Sequence, residues 1–512
     1  MQIWLGVKDF AKIEDAKVHL GEYVLFVGQN NCGKTFLMQL IQGVLEKLTD
    51  FIDERALNIL LDEEEEAYSS YVVSSENISQ LTDYLNQKLD AEKENIVKEI
   101  FQKEIPIGKL YVDFRLKDDF AYKFFVLNVK KAFKDPFGKK IEPDIVAEAL
   151  ESFRSMPVDQ ICVLTHINLK DNKLKIISIS GMFSSSEPAN HHILLRRLMR
   201  DNIMESNSLF FPASRTGLLL LYREFFLNKA DHTISYKIGN NQAMEKDQDY
   251  GGLTKPVYEF LRFLQGFSEN ENIKELFKDE LQFFEDNVIN GHISADKQKT
   301  FLYKSKNDEN EVPMYLASSM INEVAPVGMA ITGGGYYDRF IIDEVESSVH
   351  PEKQFELVRF FNRLVSKGIK LIISTHSDTF VSKMNNLYVL SQYNQRFHKD
   401  IVNIRSNMGL ATNCQSIFDN LDFINDLDPE RHDALVKDLK AVQILWEKLG
   451  LTSKDFIDPS SLLVYEFVLQ DNGKSIVKEI PGDEKRGFQF DLFASSAVKL
   501  YDEALEIGEL LE

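Results

Sequence analysis

The chain has 512 residues, of which 44% are apolar and 27% are charged. These proportions are ordinary for a globular protein, and the length predicts roughly two to four domains whose cores need no disulfide or metal staples. The formal net charge is −21. Because non-specific DNA binding draws most of its affinity from basic surfaces, this charge favours protein partners, although a local basic groove would still permit DNA contact.

Cysteine usage and the apolar runs both indicate a cytoplasmic protein. Cys32, Cys162 and Cys414 are scattered and form no CxxC pair, which is typical of a reducing compartment and argues against a zinc site. The longest apolar run, residues 217–222, is far too short to span a bilayer, and no amino-terminal signal is visible. We therefore expect no membrane contact.

The first chemically informative segment follows a predicted strand at residues 23–27 and opens a helix whose apolar residues recur at helical spacing. In such a segment, glycines let successive backbone N–H groups point at phosphate oxygens, at the positive end of the helix. The segment predicts a phosphate cradle, in which Lys34 reaches the β- and γ-phosphates and the Thr35 hydroxyl ligates Mg²⁺. It completes the pattern G-x-x-x-x-G-K-[ST] with Gly28, Gln29, Asn30, Asn31, Cys32, Gly33, Lys34 and Thr35.

The middle of the chain carries fewer motifs. Residues 51–215 form a mixed segment with strands predicted at 109–114 and 161–164, and residues 216–300 are mainly helical. No heptad pattern is sustained there, so a long coiled coil is not predicted.

Two later strands end in residues suited to phosphate chemistry. The strand at 340–342 runs into Asp343 and Glu344, which predicts a carboxylate that holds Mg²⁺ and a second one that polarises the attacking water. A strand ending in a solvated acidic turn would show the same residues. The strand at 370–375 ends at His376, which fits a switch residue that contacts the γ-phosphate.

Several of these segments resemble one family, the ABC-type ATPases of the overcoming-lysogenization, SMC and RecF kind. Residues 343–351 are similar to its D/E-E-P-E-x-x-L-H-P signature, with Val345 in place of the usual proline. Residues 7–13 resemble the family's opening strand, and residues 210–215 resemble its Y-x-P-A-x-R strand end. The resemblance implies an α/β fold: an ABC-type P-loop NTPase head with a mainly helical insertion and a small α+β carboxyl-terminal region.

The same resemblance divides the chain into four parts. Residues 1–215 would form the amino-terminal lobe of the ATPase head, and residues 216–300 a helical arm or lid. Residues 301–395 would return to the head, and residues 396–512 would form the carboxyl-terminal region. Related nucleases carry a Toprim domain in that last part, but here Asp426 and Asp428 spell D-x-D in a polar loop and no convincing Toprim set is found.

The family completes each active site with a signature motif from a second protomer. Here a predicted hairpin at 300–313 leads into Ser318 and Ser319, which are similar to the L-S-S-G element, with Met320 in place of its glycine. The resemblance implies a homodimer or higher homo-oligomer through the heads, in which these serines contact the partner's ATP. A simple serine helix cap would look the same.

The resemblance extends to stand-alone ATPases of the Septu and PARIS type. It implies an ATP-binding and ATP-hydrolysing subunit of an anti-phage defence system that senses infection and controls a separate effector, a nuclease or toxin. Two alternatives stay open at this point. One is a DNA repair or recombination ATPase of the RecF or SMC type, and the other is an ATP-locked scaffold that hydrolyses slowly.

Overall fold

The computed structural model describes residues 2–64, 68–116, 120–128, 158–168, 173–183, 207–239, 250–296, 300–333, 335, 337–407 and 429–490. Cys414, Asp426 and Asp428 lie outside these residues.

The first part of the chain alternates strands with three helices. Its elements are β1 (Gln2–Phe10), β2 (Ile13–His19), β3 (Tyr23–Gly28), α1 (Lys34–Asp50), α2 (Glu54–Leu60), β4 (Leu61–Glu64), β5 (Tyr68–Val73), α3 (Ser75–Phe101), β6 (Lys109–Arg115), β7 (Phe120–Asn128), β8 (Val158–Asn168) and β9 (Lys173–Phe183).

The second part holds most of the helices. Its elements are β10 (Ser208–Phe211), α4 (Arg215–Gly239), α5 (Lys255–Gly266), α6 (Glu271–Leu276), α7 (Lys278–Phe283), a π-helical turn (Phe284–Val288), β11 (Gly291–Ala295), β12 (Phe301–Ser305), β13 (Glu311–Pro313), α8 (Ser319–Ala330), β14 (Arg339–Ile342), α9 (Pro351–Ser366), β15 (Lys370–Thr375), α10 (Asp378–Asn407), α11 (Pro429–Leu449), β16 (Leu462–Leu469) and β17 (Ser475–Ile480).

A nine-stranded sheet organises the molecule, in the order β10-β14-β15-β3-β16-β17-β2-β1-β6. The strands from β10 to β16 pair in parallel, so their carboxyl ends share one edge of the sheet. The strands β3, β14 and β10 are buried along their whole length, as expected for parallel strands covered on both faces. Ligands of open α/β sheets bind outside this carboxyl edge, which is where the predicted phosphate cradle lies.

Side-chain alternation along the central strands builds a separate core on each face. Val24 and Phe26 of β3 pack with the apolar side of α1, whereas Leu25 and Val27 pack on the opposite face with α8, α9 and α10. This period of two is what a strand imposes. The α/β architecture therefore fixes α1 against one face of β3 and directs its amino end toward the sheet edge.

The carboxyl-terminal strands differ from the division that the sequence suggested at residue 396. The sequence sets β16 and β17 apart from the head, whereas the structure inserts both into its sheet, with β16 paired in parallel to β3 from Leu462 to Phe467. The strand β16 covers Leu462–Leu469. Its neighbour could not be read from the sequence, because non-local strand pairing is selected by tertiary packing and not by local pattern.

Two smaller sheets flank the large one. The strands β4, β5, β7, β8 and β9 form an antiparallel sheet, and β11, β12 and β13 form another. In the second, β12 and β13 are the hairpin predicted before Ser318. Within the part of the chain described above, no helix is long and apolar enough to cross a membrane.

The placement of β16 generates a prediction about stability. Phe467 is 2% exposed and packs edge-to-face on Phe26, with ring centroids 5.3 Å apart. Phe467→Ala should lower the free energy of unfolding by about 3–5 kcal/mol, because it leaves a cavity beside β3. Urea denaturation followed by circular dichroism measures the change.

The matched control lies on the same strand. Leu469 is 46% exposed, so Leu469→Ala should change the free energy of unfolding by less than about 1 kcal/mol. Equal unfolding midpoints for the two variants would show that β16 does not belong to the core of the head.

Candidate nucleotide site

The loop between β3 and α1 is shaped by two glycines. Gly33 has a φ of 102° and Gly28 a φ of 154°, values that favour glycine. A Cβ atom on Gly33 would lie 2.9 Å from Cγ1 of Ile13, and one on Gly28 would lie 2.9 Å from Cβ of Phe467. The loop wraps so tightly at the amino end of α1 that neither position has room for a side chain, and glycine is what permits this path. The free N–H groups and the dipole at such an end favour an anion.

Lys34 lies within this loop and is 5% exposed. Its Nζ donates to the carbonyl oxygens of Gly28 at 3.1 Å and Gln29 at 2.9 Å, and lies 3.5 Å from Sγ of Cys32. The ammonium group is therefore held over the loop by backbone oxygens. Those oxygens are weaker partners for a cation than a phosphate would be.

Asp343 follows β14 and is 1% exposed. Its Oδ2 accepts a hydrogen bond of 2.6 Å from the Thr35 hydroxyl, and its Oδ1 accepts one of 2.5 Å from the Ser374 hydroxyl. The hydroxyl of the loop and the carboxylate of a strand two positions away thus meet at one point. Hydroxyl and carboxylate oxygens are the hard donors that Mg²⁺ prefers, so this pair fits the ion that the sequence predicts.

Glu344 has an unusual backbone conformation, with a φ of 47°. Its N–H donates to Oγ of Ser374 at 2.9 Å, and its Oε2 accepts from the Ser347 hydroxyl at 3.2 Å. A left-handed conformation in a residue other than glycine costs about 1–3 kcal/mol and is held only where the surroundings enforce it. Here the nearby end of β14 and the hydrogen bond to Ser374 hold the backbone in this conformation. The backbone in turn sets the direction of the Glu344 carboxylate.

The buried side chain of Arg215, here called the buried brace, supports the backbone of the turn that carries Asp343 and Glu344. This side chain, 1% exposed, donates to the carbonyl oxygens of Asp343 at 2.7 Å, Pro212 at 3.0 Å and Glu344 at 3.3 Å. Its Nε also lies 3.2 Å from the Glu323 carboxylate, on helix α8. Burial lowers the pKa of Arg215, and Glu323 opposes that effect. One guanidinium thus joins the end of β10, the end of β14 and α8.

His376 is the first residue after β15. Its backbone N–H donates to Oε1 of Glu346 at 2.5 Å, and its imidazole has a hydrogen bond with the Gly28 backbone. Burial, and then the Lys34 cation, lower the pKa of His376, although Glu346 and Glu344 oppose this shift. The imidazole is therefore neutral at neutral pH, and it lies beside the first glycine of the loop.

Ser318 and Ser319 stand at the amino end of α8 and are exposed. Ser318 is the N-cap, and its hydroxyl accepts a hydrogen bond of 3.4 Å from the Ile321 N–H. The carbonyl oxygen of Ser319 accepts from Thr216, so the hydrogen bonds of this pair run to α8 and α4. Met320 packs against the core. The helix cap considered from sequence is present, and a contact of these serines with a partner's nucleotide stays a prediction.

Two residues of the site, Ser374 and Glu323, had no role in the sequence-based prediction. Ser374 touches both Asp343 and Glu344, and Glu323 neutralises Arg215. A serine within an otherwise apolar strand that ends beside two carboxylates was a usable signal for the first. No signal marked Glu323, because its partner lies 108 positions away in the sequence.

The glycine loop, the hydroxyl–carboxylate pair and the order of the parallel strands are those of the α/β fold of P-loop NTPases. The chain belongs to the AAA ATPase domain family, whose model matches residues 3–381. This membership confirms the α/β P-loop fold predicted from sequence and places the protein in a family of P-loop ATPase domains. No characterised protein matches the sequence closely enough to count as a relative.

Similar solved structures are heads of SMC proteins. The SMC head domain from Thermotoga maritima is 10% identical, with a TM-score of 0.30 over 94% of this chain and 98% of that one. The Smc head domain with an extended coiled coil, bound to the C-terminal domain of ScpA and derived from Pyrococcus furiosus, is also 10% identical, with a TM-score of 0.30 over 98% and 100% of the two chains.

The ion pair between Arg215 and Glu323 predicts that the effects of their substitutions on the free energy of unfolding are coupled. Arg215→Met should lower the free energy of unfolding by about 3–5 kcal/mol, because it leaves the Glu323 carboxylate buried without its cation. The double variant Arg215→Met/Glu323→Leu should regain part of that loss. Urea denaturation of the four proteins of the cycle gives the interaction energy.

An exposed arginine provides the control for this cycle. Arg115 pairs with Asp113 at the surface, so Arg115→Met should cost less than about 1 kcal/mol. If the effects of the Arg215 and Glu323 substitutions on the free energy of unfolding are additive, the two side chains do not stabilise each other.

Proposed function

We propose that the protein binds ATP with Mg²⁺ in this site and hydrolyses it. The observation that carries the proposal is the 2.6 Å hydrogen bond between Thr35 and Asp343. It joins the residue after the loop lysine to the carboxylate of β14, across the intervening strand β15. A chance G-x-x-x-x-G-K-[ST] pattern has no reason to meet a buried carboxylate at the carboxyl edge of a parallel sheet.

Phosphate binding falls to the loop residues 28–35. On ATP binding, the Lys34 ammonium exchanges the carbonyl oxygens of Gly28 and Gln29 for the β- and γ-phosphate oxygens. This exchange is favourable because a hydrogen bond between two charged groups is stronger than one to a neutral carbonyl. Cys32 lies beside the ammonium as a small filler and takes no part in the chemistry.

Thr35 and Asp343 would hold the Mg²⁺. When bound there, the ion supplies positive charge that stabilises the phosphate oxygens during transfer. Ser374 holds the second carboxylate oxygen of Asp343 and thereby orients the first one toward Thr35. Residues behind metal ligands commonly fix them in this way.

Glu344 and His376 serve the reaction itself. Glu344 accepts a hydrogen bond from the attacking water and polarises it, and the fixed backbone at this residue keeps the carboxylate in place. His376 is neutral and lies at the first glycine of the loop, where its single N–H can exchange the Gly28 backbone for an oxygen of the γ-phosphate. Its contact would report whether that phosphate is present.

A second protomer would complete the site. Ser318 and Ser319 are exposed at the amino end of α8, and the neighbouring Tyr315 and Leu316 are exposed apolar residues. An exposed helix end with apolar neighbours suits a contact with the ATP of a second head. ATP would then act as part of the dimer interface, and hydrolysis would loosen it.

In the cell, we assign this ATPase to anti-phage defence, in the cytoplasm, where it senses infection and controls a separate nuclease or toxin. The assignment is supported by the resemblance of residues 210–215, whose last member is the buried brace Arg215, to those of defence ATPases. Within the described residues, no group of three or more His, Cys, Asp or Glu side chains could hold a catalytic metal cluster of a nuclease. A separate effector is consistent with that finding.

Two substitutions separate binding from hydrolysis. Lys34→Ala should weaken ATP binding by about 10–100-fold, because it removes a charged contact to phosphate. Glu344→Gln should keep ATP affinity but lower turnover by about 10²–10⁴-fold, because the water loses its general base. Equilibrium binding of a fluorescent ATP analogue and steady-state phosphate release measure the two effects.

Exposed residues of the same types are the controls. Lys98→Ala on α3 and Glu352→Gln at the start of α9 should leave both binding and turnover unchanged. Equal turnover of Glu344→Gln and the parent would mean that Glu344 does not position the water, and it would favour the ATP-locked scaffold.

The defence role is distinguished from DNA repair by the response to DNA. Steady-state ATP turnover should change little when duplex DNA is added, because the chain is strongly acidic and the proposed effector is a protein. Strong stimulation by duplex ends, lost in high salt, would instead favour a repair or recombination ATPase.

A further inference from the structure

A second cavity lies away from the phosphate loop, at the opposite end of the sheet. Its volume is about 790 Å³, and it is lined by the second half of α1, the start of β10 and helix α5. Ser208 is the first residue of β10, so the cavity opens at the amino ends of the parallel strands. The nucleotide loops lie at their carboxyl ends. A cavity of this size is in the range that accommodates small molecules.

The charge around this cavity is mainly negative. Glu46, Asp50 and Glu259 contribute three carboxylates to its wall, and Arg262 contributes one guanidinium. The nearby Lys255 already pairs with Glu46 at 3.1 Å and with a carboxylate of α3, Glu99, at 3.0 Å. Asp50 pairs with Lys47 at 3.8 Å, whereas Glu259 has no ion pair among the described residues. The carboxylate of Glu259 therefore favours a positively charged occupant over an anion.

Two buried polar groups on the wall have no hydrogen-bond partner among the described residues. Gln42, which is 3% exposed, donates through Nε2 to Oε2 of Glu259 at 2.8 Å, but its Oε1 accepts nothing. The hydroxyl of Ser208, a residue that is 9% exposed, is also without a partner. Both residues line the cavity, and buried polar atoms are nearly always paired, so their unpaired oxygens indicate a missing donor at this wall.

Part of the remaining wall is aromatic. Phe263 and Tyr337 lie edge-to-face with ring centroids 6.0 Å apart, and both line the cavity. Aromatic faces attract ammonium and guanidinium groups as well as apolar carbon. A metal ion is a poorer match, since the described residues contain no cluster of three donors for one.

We propose that this cavity binds a small organic cation, an amine or guanidine whose N–H groups donate to Gln42 and Glu259 while its carbon chain packs on Phe263 and Tyr337. The site is separate from the proposed ATP site and does not rest on it. It lies on the same helix, however, because Gln42 follows Lys34 by two turns of α1, about 12 Å along the axis.

Glu259 gives the binding a pH dependence. Burial, reinforced by the carboxylate of Glu46, raises the pKa of Glu259 to about 7. Below that pH the carboxyl is neutral, and above it the carboxylate is ionised and attracts a cation. Affinity should therefore rise between about pH 6 and pH 8, with release of a proton on binding. The charged and titratable groups that face Glu259 are Glu46, Glu99, Tyr250, Lys255, Arg262 and Tyr337.

Isothermal titration calorimetry of the full chain tests the proposal. The probes are agmatine, which carries an ammonium and a guanidinium, and 1,4-diaminobutane, with 1,4-butanediol as the uncharged match. We expect saturable binding of a cationic probe, none of the diol, and affinity that rises with pH. Binding should persist in Lys34→Ala, which separates this cavity from the ATP site.

Matched variants assign the binding to the cavity. Glu259→Gln should weaken binding at least about tenfold and abolish its pH dependence, because the charged acceptor is lost. Arg262 also lowers the pKa of Glu259, so Arg262→Gln is compared with the parent above about pH 8, where the Glu259 carboxylate is ionised in both proteins. There, this exposed change, which does not threaten folding, should tighten binding by removing the opposing charge. Glu275→Gln, an exposed carboxylate on α6, should leave binding unchanged.

Three results would overturn the proposal. The first is the absence of binding by either cation at millimolar concentration, and the second is binding that Glu259→Gln and Arg262→Gln leave unaltered. The third is binding of a lysine- or arginine-rich peptide in place of the free cations, which would make the cavity a docking point for a protein side chain. If Glu259→Gln unfolds, the Arg262→Gln titration still decides.

Discussion

Arg215 carries its positive charge into the interior, among backbone carbonyl groups from the ends of two strands and beside the carboxylate of Glu323. A buried guanidinium cannot shed its proton at neutral pH, so its desolvation is tolerated only when every donor finds an acceptor. This requirement leaves little freedom to the segments around it. The end of β10, the turn after β14 and helix α8 are consequently held in one arrangement, and the carboxylates Asp343 and Glu344 inherit it.

That arrangement bears directly on the proposed mechanism. Helix α8 presents Ser318 and Ser319 at its exposed end and carries Glu323 in its second turn, so the surface offered to a second protomer is tied to the backbone of Asp343. Under the proposed mechanism, a change at the contact with a second protomer would reach Asp343, the proposed Mg²⁺ ligand, through one buried side chain, Arg215. Such a link is suited to an ATPase whose output is a conformation as much as a product.

The parallel sheet separates two kinds of surface at its two ends. The carboxyl edge gathers Thr35, Asp343 and His376 from three different strands or their following turns, whereas the amino edge leaves the acidic cavity beside Gln42. Helix α1 spans both ends, with the phosphate loop before its first turn and Gln42 in its third. Its apolar stripe packs on β3, so the helix acts as a rigid connection between the two sites.

Much of this molecule follows from local pattern. The sequence by itself determined the glycine loop, the apolar strands and the residues that end them, because glycine conformation, strand alternation and helix periodicity depend on near neighbours. It therefore placed Lys34, Thr35 and Asp343 at the ends of elements, and the family match agrees with that class of fold. Only the tertiary structure decided that β16 lies beside β3, that Ser374 holds Asp343 and that Glu323 balances Arg215. Those contacts join residues far apart in the chain, and they are selected by burial and charge pairing across the folded core, which no local spacing records.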